Sequence, residues 1–157
     1  MKQQTIFITG AEGVGKSSVL NLLKKEFPKI DFHDFDEEGV PINPPLQWRL
    51  DTTLRWIKKS IENQKKNIST CIVGLCFPNE IKNYKEFNEL KDVKFFLLDI
   101  NKEERKKRLQ KRNASEEVIR DTECLFELKR QIKENVIDTS NLSIKEVFEK
   151  LKEVINK

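Results

Sequence analysis

The chain has 157 residues, a formal net charge of +4 and 36% charged residues, and its mean hydropathy is −0.63. This length suits one compact domain over residues 1–157, and the sequence contains no apolar run of about 18 residues that would predict a membrane span. Three cysteines without C-x-x-C spacing argue against a disulfide framework and against a zinc site. The small positive charge suits a protein that handles a polyanion, and no pattern of aromatics and arginines predicts nucleic-acid binding. We expect a cytoplasmic protein that acts as a monomer or a homodimer.

The first predicted element is a strand over residues 5–9, and its apolar run leads directly into the stretch TGAEGVGKSS. Downstream, apolar residues at helical spacing predict a helix over residues 16–27, which Pro28 stops. A strand, a glycine-rich loop and a helix in this order direct the N-terminus of the helix at an anion.

The glycine-rich stretch carries the pattern G-x-x-x-x-G-K-S from Gly10 to Ser17. Glycines allow the backbone to turn its N–H groups inward around a phosphate. Lys16 can place its charge between the β- and γ-phosphates, and the hydroxyl of Ser17 can ligate Mg²⁺. We therefore predict a site for ATP and Mg²⁺. The predicted nucleotide-binding residues of this loop are Gly10, Ala11, Glu12, Gly13, Val14, Gly15, Lys16, Ser17 and Ser18.

A short strand predicted over residues 30–35 ends in a second pattern, Asp34-Phe35-Asp36. In an extended segment, two carboxylates that are two residues apart project to one side. A phosphoryl acceptor needs a carboxylate that orients or deprotonates its hydroxyl, and a metal needs anionic support. The alternative is a solvated acidic turn. His33 alternates away from both carboxylates, and we interpret it as a strand residue rather than a catalyst.

The glycine loop resembles that of the P-loop NTPases at Gly10, Gly15, Lys16 and Ser17. With the D-x-D pattern after the second strand, the chain is similar to the nucleoside, nucleotide and shikimate-type kinases. This resemblance implies transfer of the γ-phosphoryl group of ATP to a small-molecule acceptor, with Asp36 as the base and Asp34 supporting Mg²⁺. The pattern leaves the reverse assignment open. The alternatives are a nucleoside monophosphate kinase and an ATP-hydrolysing switch protein without a small-molecule acceptor.

A turn rich in proline separates the D-x-D pattern from a helix predicted over residues 46–63. Trp48, Thr52 and Arg55 lie roughly on one face of this helix, and Arg49 lies on an adjoining face. A tryptophan can stack on a base or a sugar, and an arginine can hold an anionic group. We predict that these four residues and Asp36 bind the acceptor, and a core position for Trp48 is the alternative.

The most apolar strand is predicted over residues 70–77, and a helix follows within residues 79–90 with a break near Asn83. In many P-loop enzymes this strand ends with an acidic residue, and this sequence has no acidic residue at that position. The shikimate-type kinases have glycines there, and Gly74 fits that group. Asp99, at the end of a strand predicted over residues 94–100, is the competing candidate for that acid, and an N-cap is its alternative role.

Helices are predicted over residues 102–112 and 115–133, and the first of them is polar nearly all round. Arg105, Arg108 and Arg112 share one of its faces. In nucleotide kinases this position leads into a lid whose arginines close over the phosphates. The resemblance therefore implies a small lid over about residues 101–120, in which Arg108 and Arg112 act on the transferred group. Arg120 is a further candidate for the same role. A solvated helix is the alternative.

A last strand is predicted over residues 135–139, before the turn DTSNLS and a helix capped by Ser143. The resemblance places this turn at the adenine, with Asn141 as a candidate contact, and a capping turn explains the same residues. Strands that alternate with helices imply βαβ units. We predict an α/β fold, a three-layer α/β/α sandwich with a five-stranded parallel sheet, and the resemblance implies the strand order 2-3-1-4-5 of the P-loop NTPase fold.

Overall fold

The computed structural model describes residues 2–157 and shows a five-stranded parallel sheet with helices on both faces. The strands are β1 (Thr5–Thr9), β2 (Ile30–Asp34), β3 (Ser69–Val73), β4 (Val93–Asp99) and β5 (Val136–Asp138). Their order across the sheet is β2-β3-β1-β4-β5, and every neighbouring pair is parallel. The predicted three-layer sandwich and its strand order are therefore confirmed.

The helices alternate with the strands along the chain. They are α1 (Lys16–Glu26), α2 (Leu46–Lys65), α3 (Pro78–Lys82), α4 (Lys102–Lys111), α5 (Glu116–Arg120), α6 (Glu123–Gln131) and α7 (Ile144–Ile155). A 3₁₀ helix, Lys85–Glu89, follows α3, which confirms the predicted break near Asn83. The predicted cap of α7 is confirmed too, since Ser143 and Glu146 form a reciprocal capping box.

Two predicted boundaries are wrong. The strand predicted over residues 70–77 ends at Val73, because the chain then turns and the Thr9 hydroxyl bonds the amide and the carbonyl of Cys76. The helix predicted over residues 115–133 is two helices, because the Asp121 side chain accepts a hydrogen bond from the Glu123 N–H at 3.1 Å and so interrupts the helical ladder.

The core lies on both faces of the sheet, as the alternation along β1 requires. Ile6 and Ile8 point to one face and pack with residues of α1 and α7, among them Leu23 and Leu151. Phe7 points to the other face, where it belongs to a cluster with Trp56 and Ile57 of α2. On the same side, buried residues of α6 pack over β4. None of the helices in residues 2–157 combines the length and apolarity needed to cross a bilayer.

The carboxyl ends of all five strands meet at one edge of the sheet, because the strands are parallel. Register pairs Ile8 of β1 with Val73 of β3, Asp34 of β2 with Val73, and Asp99 of β4 with Asp138 of β5. In open parallel sheets, ligands bind at this edge. The glycine loop, the D-x-D turn and the chain after Gly74 all emerge there.

Candidate functional site

The glycine loop connects the carboxyl end of β1 to the N-terminus of α1. Gly13 and Gly15 have φ angles of 93° and 96°, in the left-handed region that disfavours residues with a Cβ. Gly15 is also the N-cap residue of α1, and it has no side chain that could satisfy the first amides of the helix. These amides lack intrahelical partners and carry the positive end of the helix dipole. The loop therefore presents an anion-binding helix terminus.

A cavity of about 400 Å³ opens in front of this loop, and we name it the loop pocket. Its lining consists of Glu12, Gly13, Gly15, Lys16, Ser17, Ser18, Asp34, Asp36, Gly74, Leu75 and Arg112. The fold thus gathers residues from the ends of three strands and from α4. A cavity of this size is typical of small-molecule sites.

Lys16 is the cation at the base of the loop pocket. Its ammonium donates hydrogen bonds to the carbonyl oxygens of Gly10 at 2.6 Å and Ala11 at 2.8 Å. Desolvation by burial lowers the pKa of Lys16 to about 8, and acidic groups nearby, Glu12 and Asp36 among them, partly oppose this shift. Lys16 is therefore a poorly hydrated donor that gains when phosphate oxygens replace the two carbonyls.

Asp34 and Asp36 stand together at the wall of the loop pocket. Oδ1 of Asp34 accepts a hydrogen bond from the Asp36 N–H at 2.9 Å, which fixes the start of the turn. Desolvation of the Asp36 carboxylate and the negative charge of Asp34 raise the pKa of Asp36, whereas the charge of Lys16 lowers it. A raised carboxyl pKa improves a general base.

Phe35 holds the two carboxylates in place. Its side chain is buried, its N–H donates to the Val73 carbonyl at 2.8 Å, and its carbonyl accepts from Nε1 of Trp56 at 3.0 Å. A Cβ at Gly74 would lie 2.3 Å from the Cβ of Phe35, so this position requires glycine. The glycine after β3 thus allows the D-x-D turn to close against the loop pocket.

Two other residues weighed in the sequence analysis lie outside the lining of the loop pocket. His33 is 2.6 Å from Oε1 of Glu37 through Nδ1 and 2.9 Å from Oδ2 of Asp31 through Nε2. Asp99 has its Oδ2 3.0 Å from Nζ of Lys129, and its side chain is largely buried. His33 thus pairs with a residue of its own strand and with one of the turn that follows, and Asp99 pairs with a lysine of α6.

Arg105 was predicted to share a helical face with Arg108 and Arg112 but was given no role there, and in the structure its role is structural. It is buried, and its guanidinium donates to the carbonyls of Glu12 at 2.9 Å, Val118 at 3.1 Å and Ile119 at 3.2 Å. These bonds connect the glycine loop with α4 and α5. The sequence signal for this role was the position of Arg105 on the same helical face as Arg108 and Arg112.

The other arginines of this region have different surroundings. Arg108 donates to the Thr139 carbonyl at 2.7 Å and pairs with Glu104 at 3.2 Å. Arg112 is 3.0 Å from Oε1 of Glu12 and lines the loop pocket. Arg120 is exposed and lies 3.9 Å from its partner Glu116.

A groove of about 480 Å³ continues from the loop pocket between α4 and α7, and we name it the basic groove. It shares Gly13, Gly15, Ser18 and Arg112 with the loop pocket. The remaining lining residues are Val14, Val19, Arg108, Lys111, Leu142, Ser143, Ile144 and Val147. Asn141 is exposed and is outside this lining, so the structure does not bring it to the groove.

On the other side, a cavity of about 320 Å³ adjoins the loop pocket, and we name it the apolar cavity. It is lined by Phe35, Asp36, Val40, Pro44, Pro45, Leu46, Trp48, Arg49 and Leu75. The ring of Trp48 meets that of Phe35 edge-on, at 6.4 Å between centroids. From the sequence we predicted only a turn over residues 36–45, although the apolar residues within it were a signal for this cavity wall.

Of the predicted acceptor residues on α2, Trp48 and Arg49 reach the apolar cavity, whereas Thr52 and Arg55 do not line it. Thr52 is buried and accepts a hydrogen bond from Arg55 at 3.1 Å, and Arg55 pairs with Glu38 at 2.6 Å. Arg49 forms a two-point pair with Glu80, a residue that the sequence analysis missed because it follows 31 positions later.

Residues that could support a metal lie beside the glycine loop. No group of three or more His, Cys, Asp or Glu side chains within residues 2–157 is arranged to hold a metal ion. Mg²⁺ is usually bound by one or two protein ligands together with substrate phosphates. Ser17 and Asp34 both line the loop pocket, and their side chains offer oxygen atoms of the kind that Mg²⁺ binds.

Solved structures of other proteins share this architecture. A tunicamycin resistance protein from Deinococcus radiodurans matches with a TM-score of 0.72 and 17% identity, over 98% of this chain and 95% of that chain. A sugar kinase from a Janibacter species matches with a TM-score of 0.69 and 15% identity, over 98% and 95%. Shikimate kinase from Aquifex aeolicus matches with a TM-score of 0.59 and 18% identity, over 97% and 95%.

This chain has the fold of the small P-loop kinases. At such identities the likeness establishes the P-loop kinase fold and leaves the acceptor open. No protein-family model matches the sequence, and no curated protein does either.

Within this P-loop kinase fold, the loop pocket brings together a predicted set of residues from distant parts of the chain. Lys16 and Ser17 share it with Asp34 and Asp36, and Arg112, the C-cap residue of α4, also lines it. Arg108 lies in the basic groove, and Trp48 and Arg49 lie in the apolar cavity. The basic groove and the apolar cavity both adjoin the loop pocket, because each of them shares lining residues with it.

Proposed function

We propose that this chain is an ATP-dependent phosphotransferase, which moves the γ-phosphoryl group to a hydroxyl of a small-molecule acceptor. The observation that carries the proposal is the loop pocket, where the ammonium of Lys16 and the hydroxyl of Ser17 lie in one cavity with the carboxylates of Asp34 and Asp36. An anion-binding helix terminus faces a pair of acids there. The P-loop kinase fold supports the same reaction class.

The nucleotide occupies the loop pocket and the basic groove. Its phosphates bind the amides at the N-terminus of α1, and Lys16 exchanges the carbonyls of Gly10 and Ala11 for oxygens of the β- and γ-phosphates. The base extends into the groove between α4 and α7. Ser17 and Asp34 would hold Mg²⁺, which neutralises charge on the phosphates when bound.

Asp36 prepares the acceptor. Its carboxylate accepts the proton of the acceptor hydroxyl while that oxygen bonds to the γ-phosphorus, and the bond from the γ-phosphorus to ADP breaks. Lys16 and Arg112 stabilise the charge that spreads over the transferred group. Residues of about 101–120 act as a small lid that brings Arg112 to this group and limits access of water.

The first test is acceptor-dependent ADP release. We expect the purified chain with ATP and Mg²⁺ to release ADP faster with one class of acceptor in a panel of nucleosides, nucleotides, sugars and cyclic hydroxy acids. A rate that no acceptor changes would favour the ATP-hydrolysing switch instead.

The second test replaces the base. Asp36→Asn removes the proton acceptor but keeps the size of the side chain, so we expect kcat to fall by about 10²–10⁴-fold, the usual contribution of a general base. ATP affinity, measured by calorimetry, should remain within about twofold, since Asp36 does not lie on the loop that binds the phosphates. Glu38→Gln is the matched control, because Glu38 is an exposed acid of the same turn that pairs with Arg55. Retention of the wild-type kcat by Asp36→Asn would reject the assigned role.

A further inference from the structure

The apolar cavity is placed to hold the body of the acceptor. It shares Asp36 and Leu75 with the loop pocket, so a molecule bound in it can present a hydroxyl directly to the Asp36 carboxylate. Phe35, Val40 and Trp48 provide hydrophobic and aromatic walls. A ring or a short chain fits a space of about 320 Å³ with such walls.

The segment that forms the outer wall carries exposed hydrophobic side chains. Val40 is 49% exposed, Leu46 is 57% exposed, and Ile42 between them is 94% exposed. Keeping large apolar side chains in water is unfavourable, and such a concentration within seven residues marks a binding surface. Val40 and Leu46 line the apolar cavity together with Asp36, so an acceptor bound in this cavity covers part of that surface.

The charge of Arg49 on the wall of the apolar cavity is already neutralised. Glu80 binds its guanidinium at two points, with 3.1 Å to Nε and 2.5 Å to Nη2. The ring of Phe77 lies against the same group, 5.0 Å from its central carbon. A carboxylate or phosphate on the acceptor would have to displace Glu80 from a charge-assisted pair, while facing the negative charge of Asp36.

We infer that the acceptor is an uncharged hydroxyl compound with an apolar ring or chain, and that Glu80 determines this specificity by holding Arg49. This inference deepens the proposed function and rests on it for the fate of the hydroxyl. The acceptor oxygen bonds to the γ-phosphorus, its proton goes to Asp36, and ADP leaves. Anionic acceptors are disfavoured, because Arg49, which lines the apolar cavity, is already paired with Glu80.

Ligand binding to the apolar cavity can be measured without any phosphoryl transfer. Benzyl alcohol and benzoate are matched probes, because they share a ring and differ in charge. We expect benzyl alcohol to change the tryptophan fluorescence saturably, and benzoate to require at least about tenfold higher concentration. The chain has two tryptophans, so Trp48→Phe is needed to assign the signal, and it should abolish the change. Equal or tighter binding of benzoate, or no saturable change with benzyl alcohol, would overturn the inference.

Turnover tests the role of Glu80. Shikimate is compared with its methyl ester, and thymidine 5′-phosphate with thymidine, since the two members of each pair differ in negative charge. We expect the neutral member of any pair that reacts to have at least about tenfold higher kcat/KM. Glu80→Gln frees the charge of Arg49 and should reduce that preference by about tenfold or more. Glu89→Gln, an exposed acid of the following 3₁₀ helix, should leave it unchanged.

The outcomes separate the two proposals. If benzyl alcohol binds at Trp48 but no acceptor promotes ADP release, the phosphotransfer proposal fails and the binding preference of the cavity stands. If an anionic member of a pair is the better acceptor, or if Glu80→Gln leaves the preference unchanged, the inference fails and the kinase proposal stands.

Discussion

Lys16 shows how a single side chain can be prepared for a ligand by its surroundings. Its ammonium lies at the base of the loop pocket, bonded to the carbonyls of Gly10 and Ala11. Burial without a phosphate is unfavourable for the charge, which is why the pKa of Lys16 falls to about 8. In the function proposed above, a nucleotide supplies the missing negative charge, so we expect its binding to be coupled to the protonation of Lys16.

This coupling predicts how ATP affinity depends on pH. In the free protein Lys16 loses its proton as the pH rises through about 8, and bound phosphates raise its pKa again. We therefore expect ATP to bind with proton uptake near this pH, and its affinity to fall by up to about tenfold per pH unit above it. Calorimetry in two buffers with different ionisation enthalpies measures the uptake. Constant affinity up to about pH 9.5 would show that Lys16 is not coupled to the nucleotide.

Among the elements, α4 is the one that ties the glycine loop to the rest of the site. It is polar nearly all round, yet Arg105 and Leu109 are buried. Arg105 satisfies three carbonyls from two separate segments, and Arg108 connects the same helix to the loop after β5 through Thr139. A helix that looks solvated from its composition is therefore held by its arginines.

Removing Arg105 should cost more stability than its polar character suggests. Arg105→Met leaves three carbonyls without their donor, and we expect the free energy of unfolding to fall by about 2–4 kcal/mol, together with weaker ATP binding at the loop. Arg120→Met on the neighbouring α5 is the control, since its exposed ion pair contributes about 0–1 kcal/mol at most. Urea unfolding of both variants measures the difference. Equal midpoints for the two variants would contradict the structural role of Arg105.

For the whole molecule, parallel strands place the ends of all βα connections at one edge. The glycine loop, the D-x-D turn and the chain after β3 come from residues that are far apart in sequence, and the strand order sets them side by side. Helices on both faces bury the sheet, so the edge with the loop pocket and its neighbouring cavities is where a ligand can add contacts. A ligand bound at this edge links several elements at once.

Such linkage predicts that MgATP stabilises the folded chain as a whole. At about 100 times its Kd, a ligand of the native state adds about 2.7 kcal/mol, which corresponds to a rise in Tm of about 5–10 °C for a domain of this size. Thermal unfolding with and without MgATP measures the rise. Lys16→Ala should lose most of it, whereas Lys25→Ala, an exposed lysine of the same helix, should keep it. The same rise in Lys16→Ala as in the wild-type chain would place the nucleotide elsewhere.

The sequence by itself determined the strand pattern, the sandwich and the glycine loop with its lysine and serine, because these depend on local periodicity and on the backbone freedom of neighbouring residues. It also singled out Asp34 and Asp36. The tertiary structure decided which side chains meet. It pairs Arg49 with Glu80, buries Arg105 beneath the glycine loop and leaves Asn141 exposed. It also places Val40 and Leu46 in one cavity with Asp36. Contacts between residues so distant along the chain have no local signature, since they depend on how the elements pack and not on the spacing within any one of them.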